Sequence, residues 1–79
     1  MGLKEKLQYR LDNGTINYLT YIRELNELTV DELGSKLEPP VNGKVIFKLE
    51  KKNVKLSKHI AKQLAKLFNV DVSEFYSLK

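Results

Sequence analysis

Lysine is the residue whose placement in this 79-residue chain carries the most chemistry. From Gly43 to Lys66 there are eight lysines, at positions 44, 48, 51, 52, 55, 58, 62 and 66, against Glu50 alone, a local net charge of +7. From Tyr21 to Glu38 the balance reverses to −3, with Arg23 and Lys36 against five acids. A basic face beside an acidic one suits the binding of a polyanion. A solvated lysine-rich surface on two helices accounts for the same charges. Groups for catalysis are sparse. His59 is the single histidine, and it falls on the polar face of its predicted helix. No serine or threonine has a neighbouring base that the sequence identifies, and there is no glycine-rich phosphate loop. Glu24, Glu27, Asp31 and Glu32 cluster, but capping and ordinary helix surface explain them. A metal site needs more ligands than one histidine and scattered carboxylates supply. The expectation is therefore a binding protein and not an enzyme, with no cofactor, metal or small-molecule ligand.

The elements that carry these residues are short. The length suits one small domain, and 42% hydrophobic residues mark a chain that folds. Cysteine is absent, which removes disulfides and zinc-thiolate sites and suggests a cytoplasmic location. There is no apolar leader at the N-terminus, and no apolar run reaches the roughly 18 residues of a membrane span.

Leu3, Leu7 and Leu11 recur every four residues and predict a short amphipathic helix. Asp12-Asn13-Gly14 stops it, because Asn and Gly tolerate the left-handed conformation. Thr15 is the expected cap of a second helix with Ile16, Leu19, Ile22 and Leu25 inward. One bent helix running through Gly14 is the alternative. Leu28 to Leu33 carries the sharpest start signal. Thr29 with Glu32 makes a capping box, and Leu28 with Leu33 makes a hydrophobic staple. Gly34 in the following helix costs roughly 1 kcal/mol relative to Ala, and its lack of a side chain would let another helix backbone come close.

Pro39-Pro40 ends that helix, and Asn42 can cap the next. There Ile46 and Leu49 face inward, Val45 lies at the edge, and Gly43, Lys44, Phe47, Lys48 and Lys51 point outward. Asn42-Gly43 is also a hairpin signal, and Lys44 to Glu50 alternates as a strand would. The two prolines argue against a partner strand, so helix is preferred. Ser57 caps a longer helix with Ile60, Ala61, Leu64, Leu67 and Phe68 on one face. Asn69 ends it. Asp71 with Glu74, and Val70 with Phe75, repeat the box and staple before a last short helix in which Phe75 and Tyr76 close the core. The predicted fold class is all-α, with four to five helices in a single globular domain. Residues 1–14 form an additional N-terminal helix and residues 15–79 the main body.

Three segments between Tyr21 and Tyr76 resemble the Cro and phage-repressor helix-turn-helix family, also called the xenobiotic-response-element type, over about two thirds of the chain. IREL followed by LTVDELGSKL is similar to the family's first two helices. KVIFKLEKK is similar to its recognition helix, with Glu50 where the family usually keeps a glutamate. IAKQLAKLFNVDVSEF is similar to its closing pair. The link before LTVDEL is about one turn shorter than usual, and EPPVNG is about two residues longer than the family's tight turn. Gly34 stands where the family usually has Ala, and the first 14 residues have no counterpart.

The resemblance implies a lambda-repressor-like domain that binds double-stranded DNA as a homodimer and regulates transcription, as a repressor, in a phage or bacterium. Helix 42–52 would enter the major groove. Asn42, Gly43, Lys44, Phe47 and Lys48 would meet the bases, Asn reading adenine, Lys guanine and Phe47 a thymine methyl. Lys51, Lys52, Lys55 and Lys58 would hold phosphates. Leu3, Leu7, Tyr9, Leu11 and Tyr18, with Tyr21 beside them, form a cluster that either completes the core or makes the dimer interface. A protein-interaction module of the same fold, an antitoxin or anti-repressor, is the alternative function.

Overall fold

A computed structural model describes residues 2–51 and 56–76. Every regular element among them is helical. The order is α1 (Leu3–Asp12), α2 (Tyr18–Leu25), α3 (Val30–Ser35), α4 (Gly43–Leu49) and α5 (Lys58–Phe68), then a 3-10 helix (Val72–Tyr76). The radius of gyration is 11.8 Å, against about 12 Å for a compact chain of this length.

Caps explain most boundaries. α1 ends where Gly14 takes φ 80°, a left-handed conformation that glycine adopts without a Cβ clash. The turn separates α1 from α2, so the chain does not run on as one bent helix. Thr15 is consumed in that turn: its N–H donates to Asn13 Oδ1 at 3.0 Å and to the Arg10 carbonyl at 2.9 Å. The expected Thr15 cap is therefore wrong. Asn17 caps α2 instead, accepting from the Thr20 N–H at 2.9 Å, and Ile16 lies before the helix. The capping box at α3 is present in both directions. Thr29 Oγ1 accepts from the Glu32 N–H at 3.1 Å, and Glu32 Oε1 accepts from the Thr29 N–H at 2.9 Å. Segment 43–49 is helix and not strand. Ser57 caps α5 through the Ile60 N–H at 3.3 Å, and Asn69 ends it in the left-handed conformation, φ 56°.

The expected Asp71–Glu74 box does not form. Asp71 Oδ1 accepts from the Ser73 N–H at 2.9 Å, two residues on instead of three, and that tighter geometry starts a 3-10 turn.

The core gathers Leu7, Leu19, Tyr21, Ile22, Leu33, Leu37, Ile46 and Leu64, with Ala61 and Ala65 also buried. α3 packs on α4, α1 on α2, and the 3-10 helix on α5 and α2. Leu7 is 2% exposed, so α1 contributes to this core. Of the two places open to it, core or dimer interface, Leu7 takes the core. Leu11 and Tyr18 also pack against the core. The Tyr18 ring meets Phe75 edge-on at 5.0 Å and Tyr21 at 5.6 Å, and burial raises its phenol pKa above the ordinary value. Leu67 and Tyr76, expected inward, are 40% and 44% exposed; Ala65 takes the inward position on α5. No helix among the described residues is long and apolar enough to cross a membrane.

Candidate nucleic-acid interface

α4 is short, and its placement depends on contacts at both ends. Asn42 Oδ1 accepts from the Lys44 N–H at 2.8 Å, closing the first turn. Ile46 is fully buried and Leu49 half-buried, a spacing of three that fixes one inward stripe. The expectation that Gly43 points outward is wrong. Gly43 is buried, and a Cβ there would overlap the Asp31 carboxylate at the start of α3. The missing side chain lets α4 begin directly against α3.

The C-terminal end is held from α2. Asn17 Nδ2 donates to the Leu49 carbonyl at 3.1 Å, so the residue that caps α2 with its oxygen also caps α4 with its nitrogen. Arg23 meets both carboxylate oxygens of Glu50, at 2.5 and 3.1 Å, and its third nitrogen donates to the Leu28 carbonyl at 2.7 Å. The hydrogen bond to Glu50 holds the Arg23 guanidinium pKa above its ordinary value, against the opposing effect of burial. Such forked pairing fixes direction as well as distance.

The connection from α3 to α4 is held in two places. Leu37 is buried, and the Val41 N–H donates to the Gly34 carbonyl at 3.0 Å. A Cβ on Gly34 would overlap the Val41 carbonyl. The close backbone that Gly34 admits is thus the connection itself and not a neighbouring helix. From α5, Gln63 pairs with both backbone groups of Glu38, at 2.7 and 2.8 Å. The Glu38–Pro39 peptide bond is cis.

With its inner face fixed, α4 presents Lys44, Val45, Phe47 and Lys48 to solvent. Phe47 is 59% exposed, and Lys51 Nζ lies 5.5 Å from its ring centroid, within range of a cation–π contact. Lys44, Phe47 and Lys48 follow at three- and four-residue steps and share one side of α4, and Lys51, just past its end, reaches the Phe47 ring. Asn42 is exposed at the head of that side, and Lys58 is exposed in the first turn of α5. Lys52 and Lys55 lie outside the described residues. Of the cluster that includes α1, Leu3 and Tyr9 are exposed, at 47% and 69%. Tyr9 lines a shallow hollow with Lys4, Glu5, Gln8 and Asp12.

Sequence reasoning missed Asn17 and Gln63. Asn17 had a local signal, an Asn immediately before a run of helical spacing. Gln63 had none, because its partner is 25 residues away. No family model, curated protein or solved structure matches the chain.

Proposed function

We propose that this chain is a sequence-specific DNA-binding transcriptional regulator of the Cro and repressor helix-turn-helix type. In this reading α3, the connection 36–42 and α4 form the helix-turn-helix, and α4 enters the major groove. The observation that carries it is the division of α4 into an anchored inner face and an exposed Lys44, Phe47, Lys48 face, continued by Lys51, on the most basic stretch of the sequence. A helix held at both ends meets the requirement that reading groups be positioned before contact.

Asn42, Lys44, Phe47 and Lys48 then face base edges, and Lys51, Lys52, Lys55 and Lys58 meet phosphates. Gly43 leaves the contact set and acts as the spacer that seats α4 on α3. The partner is double-stranded DNA, bound as a homodimer on paired half-sites. Self-association uses Leu3 and Tyr9, since Leu7 is inside the core. Repression by occupying a promoter fits so small a surface. No reaction, metal or cofactor belongs to this reading.

A titration of the protein into its own upstream DNA, followed by fluorescence anisotropy, tests the proposal. Affinity should fall by orders of magnitude between about 50 and about 200 mM salt if several lysines engage phosphates. The second reading, an antitoxin or anti-repressor, draws on the exposed Phe47 ring, since aromatic side chains are enriched at protein interfaces. It expects no salt-dependent DNA binding.

A further inference from the structure

Gln63 is used to its full capacity as a donor. Its Oε1 accepts from the Glu38 N–H at 2.7 Å and its Nε2 donates to the Glu38 carbonyl at 2.8 Å. That double pairing settles which end of the amide is oxygen. Turned over, the amide would set its NH2 against the Glu38 N–H and its oxygen against the Glu38 carbonyl. One hydrogen on Nε2 remains, and the neighbour is His59 Nε2 at 2.9 Å.

A hydrogen bond there requires His59 Nε2 to accept. The ring proton must then sit on Nδ1, and the imidazole must be neutral. A protonated imidazole carries hydrogen on both nitrogens and would set N–H against N–H. The ring must then leave, or Gln63 must loosen its hold on Glu38.

That hold bears on α4. Glu38 lies four residues before Asn42, the cap of α4, and the intervening Val41 is tied to Gly34. We propose that Gln63 is a positioning residue for α4, and that neutral His59 completes its grip on the connection while protonated His59 weakens it. The effect on DNA rests on the proposed role of α4; the effect on the fold does not. The charged residues nearest His59 in the sequence are Lys58 and Lys62 on α5, and Glu38, whose backbone Gln63 holds, lies on the connection. His59 is the single histidine. The ring's own C–H resonances therefore identify any change that follows its protonation.

NMR on the full chain tests the inference. While neutral, the His59 ring should be the Nδ1–H tautomer. On acidification the Gln63 side-chain NH2, the Glu38 amide and the amides from Asn42 to Phe47 should shift with the midpoint of the ring. His59→Gln should abolish that common midpoint. In Gln63→Ala the ring should still titrate while the α4 amides no longer follow, and DNA affinity should drop about two- to tenfold. An Nε2–H ring in the unaltered protein would overturn the inference, and needs no variant to fold. So would α4 amides that follow pH equally in Gln63→Ala. If the amides follow the ring as described but no variant binds DNA, the positioning role stands and the DNA reading falls.

Discussion

Arg23 on α2 grips Glu50, the residue that ends α4, through two nitrogens at 2.5 and 3.1 Å, and both side chains are largely buried. A third nitrogen of Arg23 holds the carbonyl of Leu28 just ahead of α3. One side chain thus fixes the end of α4 to the start of the α3 segment. Glu50→Gln should cost about 1.5–3 kcal/mol, because it strips the charge from a charge-assisted pair and leaves the guanidinium under-satisfied. Urea denaturation reads this directly. The Arg23 pKa is raised in the folded chain. Its contribution is therefore full below the unfolded value and is lost only as pH rises through the folded one, far into the alkaline range. Between about pH 6 and about pH 9 the loss in Glu50→Gln should be flat, since arginine stays charged there.

Two carboxylates set the opposite dependence at low pH. Glu32 is held below its ordinary pKa first by the backbone N–H of Thr29 and then by its hydroxyl, and Asp71 is held below by the backbone N–H of Ser73. A carboxylate with a depressed folded pKa adds stability above its unfolded value and loses it as pH falls through the folded one. Side-chain NMR titration should find both midpoints below those of model peptides. In Thr29→Ala the Glu32 midpoint should rise, and the domain should lose about 1 kcal/mol as a helix cap is removed.

The two buried glycines should respond differently to alanine. At Gly34 the added Cβ meets the Val41 carbonyl, a backbone group that cannot rotate away. Gly34→Ala should destabilise by about 1–3 kcal/mol, in spite of the roughly 1 kcal/mol that alanine adds in helix propensity. At Gly43 the overlap is mainly with the Asp31 carboxylate, a side chain that can swing toward solvent, while the Asp31 backbone nitrogen stands at 3.0 Å. Gly43→Ala should cost less than Gly34→Ala. Thermal unfolding of the two variants side by side checks the order.

Phe47 and Lys44 separate contact from stability. Both are exposed, so Phe47→Ala and Lys44→Ala should leave the unfolding free energy within about 0.5 kcal/mol. Each should weaken DNA binding about fivefold or more, the loss expected for a group at a base edge. Lys44→Ala should also flatten the salt dependence if its ammonium reaches a phosphate. Denaturation and anisotropy on the same preparations distinguish the two effects.

The parts legible in the sequence were those with short-range causes. Thr29 with Glu32, Asn42 and Ser57 each cap the helix that follows because the capping oxygen lies within three residues of its N–H. The inward stripe of α4 followed from the spacing of Ile46 and Leu49. The misjudged caps failed where two local solutions compete. Thr15 is drawn into ending α1 by Asn13, which leaves Asn17 to start α2. Asp71 reaches Ser73 before Glu74 can reach back. Residue type alone does not rank such alternatives.

The rest depends on contacts across the fold. Leu7 and Tyr18 looked equally suited to a core or a dimer, and the approach of α1, α2 and the 3-10 helix decided for the core. Gly43 lies beside Asp31 because α3 and α4 pack together, a proximity that no local pattern encodes. The amides of Asn17 and Gln63 bind backbone 32 and 25 residues away. In the sequence Asn17 carried only its local capping signal, and Gln63 read as an ordinary polar helix residue.

In the proposed function the outer face of α4 meets DNA. An NMR titration of the labelled chain with its own upstream duplex tests it most directly. The amides of residues 42–51 and of Lys58 should shift together and saturate at one stoichiometry, residues lining the core should stay in place, and raising salt should reverse the shifts. Shifts confined to α1, or none at all at low salt, would contradict it.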